Sequence, residues 1–192
     1  SGEQVNKNFV KPEYLKPIVE HLKGTIVECN TAYPGARNTT EKHKKLMETH
    51  GWSTNFNVDI LDSEGPDITL KIPKGNILKE NYVGKHMVKY NSCLVVSHFK
   101  GHAMGGFGGA LKQLSIGLGS SAGKSWQHSG GKTKSQKEVW RNICPDKNFQ
   151  EAMAEAAWSV VDFFKGNMAF VNLMVNIGPD CDCDGKARGP CM

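Results

Sequence analysis

Short β-branched segments alternate with helical stretches along this chain, and that alternation confines it to an α/β architecture. Thr25–Cys29, Asn57–Leu61, Ile68–Ile72 and Ser92–Ser97 read as strands, with Ala169–Ile177 as the last. Lys85–Tyr90 is a further strand candidate. Pro12–Lys23 places Tyr14, Leu15, Ile18, Val19 and Leu22 at helical spacing; Pro17 implies a kink or a later start, and Gly24 a stop. Thr39-Thr40-Glu41 caps a second helix that ends near His50, before Gly51. Phe149–Lys165 is the strongest helix, with Phe149, Met153, Ala156, Ala157, Val160, Val161 and Phe164 facing inward. Ala110–Leu118 can be helical, and Gly119–Lys134 reads as flexible. The expectation is a layered α/β fold with a central mixed, partly parallel sheet flanked by helices.

The chain has 192 residues, which predicts a single domain. Hydrophobic residues make up 39% and charged residues 22%, which excludes a disordered chain or a coiled coil. No apolar run approaches the ~20 residues of a membrane span. Lys plus Arg is 24 against 19 for Asp plus Glu, a net charge of +5. The lysines scatter, without the basic patch and interleaved aromatics of a nucleic-acid binder. Ser1-Gly2 looks like the remnant of a cleaved tag. Met192 directly follows a cysteine cluster, as at the end of a fragment whose continuation is missing or at a natural mature end.

Of the six cysteines, Cys181, Cys183 and Cys191 fall within the last dozen residues. Cys181 and Cys183 are too close in sequence to bridge without strain. No apolar leader of a secretory signal is present. Reduced thiols in a cytoplasmic protein are the expected state, where clustered cysteines more often serve metal or redox chemistry. The segment Gly178–Gly185 directly follows the last strand, where open α/β sheets gather their ligands. Cys181, Cys183 and Cys191 are therefore candidate ligands for an iron–sulfur cluster or a mononuclear metal such as zinc or iron; the bland alternative is a polar turn. Asp180, Asp182, Asp184 and Gly185 also fit half of a calcium loop, but its twelfth position is Cys191 instead of a bidentate Glu.

His98, Lys100 and His102 leave the end of the best strand, where neutral imidazole can ligate a metal or act as a general base. Their bland alternative is a hydrogen-bonded loop pair. A glycine run follows, with five glycines in Gly101–Gly109. Gly105, Gly106, Gly108 and Gly109 let backbone approach a cofactor or form a tight turn, and the N-terminus of Ala110–Leu118 is a possible anion seat. Gly123-Lys124-Ser125 resembles the end of a phosphate loop, but Leu118 stands where its first glycine belongs. Gly117-x-Gly119-x-x-Ala122 follows a helical segment and not a strand, so the dinucleotide reading fails as well. Ser125 and His128 lack the strained turn of a nucleophile elbow.

Ser97–His102, Gly106–Lys112, Gly123-Lys124 and Gln127-His128-Ser129 resemble the core signature of the bacterial and archaeal domain of unknown function numbered 362. Val175–Ile177 with Pro179–Cys183, and the earlier Val10–Pro12 and Cys29–Thr31, extend the likeness over nearly the whole chain. The resemblance implies an iron–sulfur or metal-linked role without an established reaction. Many members carry a ferredoxin-like cysteine cluster after the segment matching His128. Here Gly130–Cys144 holds Cys144 alone, so a complete four-cysteine motif is absent.

The first expectation is a cytoplasmic metal or iron–sulfur protein with a redox partner. Its rival is an enzyme that acts on a small anionic ligand through His98, Lys100, His102 and the glycine run. Neither reading involves nucleic acid or membrane.

Overall fold

The computed structural model describes residues 2, 3, 8–65, 67–175 and 177. Pro12 opens helix α1 (Pro12–Leu22), where its missing N–H is an orphan in any case. The helix continues through Pro17. It closes on Lys23, which adopts the left-handed conformation at φ 49°, while the Gly24 N–H returns to the Val19 carbonyl. Strand β1 (Ile26–Glu28) follows. Thr39 caps α2 (Thr40–Thr49) by accepting the Lys42 N–H, and a short α3 (Trp52–Asn55) leads into β2 (Val58–Ile60).

β1 and β2 pair in parallel, Ile26 opposite Val58 and Glu28 opposite Ile60. The helical crossover between them is the connection that a parallel pair requires. Leu15, Met47 and Trp52 fill the core of this unit.

An antiparallel ribbon of β3 (Ile68–Lys71) and β4 (Glu80–Val83) comes next. β5 (Cys93–His98) leads into a hairpin of β6 (Lys100–His102) and β7 (Gly106–Gly108), turned at Gly106 with φ 74°. One turn of helix, α4 (Ala110–Lys112), runs on as a π-helical turn over Gln113–Gly117. Then come α5 (Ser121–His128), α6 (Asp146–Phe163) and β8 (Met168–Leu173). β8 returns parallel to β5, Cys93 opposite Met168 and His98 opposite Leu173.

The fold is therefore mixed α/β with parallel and antiparallel pairing. Its strands divide among four two-stranded ladders, β1–β2, β3–β4, β5–β8 and β6–β7. One core joins several of them: Cys29, Leu61, Val83, Val95, Leu114 and Val160 pack together between the strands and α6. Burying each large aliphatic side chain contributes about 2 kcal/mol. The inner face of α6 is the expected one, with Phe149, Met153, Ala156, Ala157 and Val160 buried. The Glu155 carboxylate on the same helix accepts the backbone N–H groups of Asn76, Ile77 and Leu78, pinning that turn to α6.

Two expectations need correction. Lys85–Tyr90 is not a strand: Lys85–Lys89 forms a 3-10 helix with Met87 buried, and the strand is Glu80–Val83 before it. That strand is hidden in the sequence because its centre is polar. Asn81 is fully buried, donating to Ser159 Oγ and accepting from Gln127. Gly119–Lys134 is not uniformly flexible, since it contains α5. Ser120 caps that helix through the Gly123 N–H, and Trp126 Nε1 ties it to the Glu80 carbonyl. Among the described residues, no helix is long and apolar enough to cross a membrane.

Candidate functional site

Because β5 and β8 run parallel and in register, the chain leaves both strands at the same end. His98 stands there, and its Nε2–H donates to the Val175 carbonyl just beyond β8. A shallow pocket beside it is lined by Phe9, Lys11, Tyr14 and Leu173. Cys181, Cys183 and Cys191 lie outside the described residues, so their placement relative to His98 is not part of this geometry. Among the described residues, no group of three or more His, Cys, Asp or Glu side chains could hold a metal.

His102 faces a different neighbourhood. At the tip of the β6–β7 hairpin its Nδ1 accepts the Gly105 N–H at 3.0 Å, and its ring stacks on Phe149 of α6 with centroids 6.3 Å apart. His128, the last residue of α5, packs on the same phenyl ring at 4.8 Å. Its Nδ1 lies 2.7 Å from the Lys124 carbonyl one turn back. Burial pushes the pKa of both imidazoles down to about 4. Lys112 and Lys100 add to that effect at His102; at His128 the hydrogen bond to the Lys124 carbonyl opposes it, and the charges of Lys112 and Lys124 add to it. Lys112 is thus the lysine that bears on both rings.

The predicted glycines shape this corner. Gly105 supplies the N–H that fixes His102, Gly106 turns the hairpin, Gly108 pairs opposite Lys100, and the Gly109 carbonyl accepts the Gln113 N–H. The anion seat expected at the start of Ala110–Leu118 is occupied from within: the Ala110 N–H donates to Asn172 Oδ1 at 2.9 Å. Ser125 and His128 do not form a pair either. The Ser125 hydroxyl donates to the Ser121 carbonyl, and His128 holds the Lys124 carbonyl. In the sequence His128 enters as a possible partner of Ser125 and within the family signature, and Lys112 within that signature. Their convergence with His102 depends on where α5 and α6 pack, which no local spacing encodes.

A second polar cluster lies at the carboxyl ends of β1 and β2. Asp62 accepts the Asn30 N–H and the Ser121 N–H, both at 2.9 Å, so one carboxylate joins two strand ends to the start of α5. Lys124 is 6% exposed and donates to the Gly119 carbonyl. Burial lowers its pKa, while Cys29, Asp62 and Glu28 favour its charged form. His43 is fully buried against Asn30 Oδ1. The Cys29 thiol reaches the Leu118 carbonyl at 3.4 Å, and burial pushes its pKa up, as it does for Cys93, to about 11, and for Cys144. These three thiols are free and serve packing.

The protein is mixed α/β, and this corner gathers histidines and lysines beside a glycine-rich hairpin. Residues 2–191 match the family model of a domain of unknown function, DUF362, and the chain belongs to that family. No curated protein and no solved structure matches it.

The buried imidazoles make stability depend on pH. Burial first of all holds His43, His102 and His128 near a pKa of about 4, against 6.5 for an unperturbed histidine. Between those values the unfolded chain binds more protons than the folded one, so stability falls as the pH drops through that window. The combined loss is on the order of 5 kcal/mol by the bottom of the window. Urea unfolding at successive pH values should show the midpoint falling steadily below neutrality. A midpoint unchanged down to the acid end would contradict the buried, neutral state of these rings.

Proposed function

We propose that the chain is an enzyme that binds a small anionic ligand at the corner formed by Lys100, His102, Lys112 and His128. The observation that carries this reading is geometric: His102 of the hairpin and His128 of α5 pack on one phenyl ring, Phe149, and Lys112 lies close enough to bear on both imidazoles. A small anion placed there would be held through the imidazoles and Lys112, and a partly water-excluded setting would strengthen that interaction. Titration calorimetry with inorganic phosphate and with acetate tests it. Lys112→Ala should weaken binding at least tenfold, whereas equal affinity in wild type and variant would contradict the assignment.

A second reading is a metal or iron–sulfur site, such as a mononuclear zinc or iron site, made by Cys181, Cys183 and Cys191 in a cytoplasmic protein with reduced thiols and a redox partner. Its support is topological: β8 runs parallel to β5, so the chain leaves β8, ahead of the cysteines in sequence, at the strand end that carries His98. Among the described histidines, His128 keeps an Nε2 lone pair, while two other ring nitrogens are engaged. His98 uses its Nε2–H on Val175, and the His102 Nδ1 lone pair is taken by the Gly105 N–H. Iron and acid-labile sulfide in anaerobically purified protein, removed by Cys181→Ser with Cys183→Ser, would support it. Protein without metal or sulfide would overturn it.

A further inference from the structure

The loop between β1 and α2 grips a carboxylate that comes from outside it. The Ala36 N–H donates to Glu3 Oε2 at 3.1 Å, and the Arg37 Nε–H donates to Glu3 Oε1 at 2.9 Å. Two donors thus take the two oxygens of one carboxylate in a charge-assisted clamp. Gly35 closes a third side. A Cβ at that position would lie 3.2 Å from each carboxylate oxygen and 3.3 Å from the carboxyl carbon. Near-equal distances to all three atoms set Gly35 against the flat face of the group, where any side chain would crowd it.

The cradle has supports of its own besides Glu3. Arg37 Nη2 donates to Tyr33 Oη at 2.8 Å, the Thr31 N–H donates to the Arg37 carbonyl at 2.9 Å, and the Thr31 hydroxyl donates to the Tyr33 carbonyl at 3.1 Å. The loop leaves the carboxyl end of β1 beside its parallel partner β2, where open α/β folds bind their ligands. The Arg37 and Glu3 side chains are 18% and 25% exposed, so salt screens their ion pair less than one on the open surface. We infer that this cradle is a binding site for a small carboxylate ligand, with Glu3 standing in for the ligand's carboxylate and leaving when it binds. It shares no residue with the His102–His128 corner and goes beyond the reading proposed for that corner.

A tethered carboxylate competes at an effective concentration on the order of millimolar, so removing its charge should unmask the cradle. An NMR titration with sodium acetate, followed at the Ala36 N–H signal, tests this. Glu3→Gln should bind acetate about tenfold more tightly than wild type, or better, because the internal competitor is gone. Arg37→Lys added to Glu3→Gln should abolish that gain, since an ammonium lacks the Nε–H of the clamp. Sulfate should bind Glu3→Gln far more weakly than acetate, because a tetrahedral ion puts a further oxygen on the face that Gly35 closes. Thermal unfolding gives a second readout: acetate should raise the midpoint of Glu3→Gln more than that of wild type, and sodium chloride at equal ionic strength should not. Should Glu3→Gln fail to fold, Glu3→Asp, whose carboxylate is drawn back by one methylene, takes its place with the same expectations. Equal acetate affinity in wild type and variant, or no acetate binding in either, would overturn the inference and leave Glu3–Arg37 as a structural ion pair. Sulfate binding as tightly as acetate would overturn the carboxylate class.

Discussion

Gly123→Ala is expected to destabilise the protein by about 3 kcal/mol, because the added methyl has no space and its obstacle is backbone. An alanine Cβ at this position would lie 2.0 Å from the Tyr82 carbonyl oxygen and 3.0 Å from its carbon. Helix α5 rests on β4 there, and three bonds hold the approach. The Ser120 N–H donates to that Tyr82 carbonyl, Trp126 Nε1 donates to the Glu80 carbonyl, and Gln127 donates to buried Asn81. The helix must lift away to admit the methyl, and these bonds stretch together. His128 sits at the end of the same helix, so ligand binding should weaken along with stability. Thermal unfolding should show a midpoint lower by about 10 °C for a chain of this size. A shift within error would show that the helix-to-strand distance is not set by this glycine.

The second large effect belongs to Asp62. Asp62→Ala removes the acceptor of the Asn30 and Ser121 N–H groups and takes away a countercharge of buried Lys124. Leaving a buried charge with less compensation is costly, so the expected loss is about 3–5 kcal/mol. Asp62→Asn should recover only part of it. An amide has one oxygen where the carboxylate has two, and its NH₂ would face an N–H. Chemical denaturation of the two variants would show alanine and asparagine both well below wild type. Full recovery by asparagine would contradict the two-acceptor role, and a wild-type midpoint in Asp62→Ala would contradict the structural role altogether.

Those two residues also show where the sequence was readable. The helix at Phe149–Lys165 and the strands near Val27, Val95 and Phe170 announce themselves, because apolar spacing alone specifies a buried face. Glu80–Val83 does not: its buried centre is Asn81, which is satisfied by Gln127 and Ser159 from two other elements. In α5, glycine and serine suggest a flexible loop, yet Gly123 is there because Tyr82 is close and Ser120 because the helix needs a cap. The near-match of Gly123-Lys124-Ser125 to a phosphate loop has the same origin. Lys124 points into a buried polar cluster and bonds the Gly119 carbonyl.

The site divides in the same manner. His102, Lys100 and the glycine run were visible as a strand end with unusual chemistry, and the structure places all of them at one hairpin. His98, four residues before His102, turns instead to Val175 and the pocket by Phe9. What joins His102 to His128 is Phe149, a residue 21 positions beyond one and 47 beyond the other, which sequence spacing cannot reveal.

The most direct measurement is an imidazole-resolved NMR titration of the intact protein with inorganic phosphate. His102 and His128 should shift together along one saturating curve, with His21 of α1 and His50, which stacks on Phe9, unmoved. Saturating shifts confined to other histidines, or none at any of them, would contradict an anion site on Phe149.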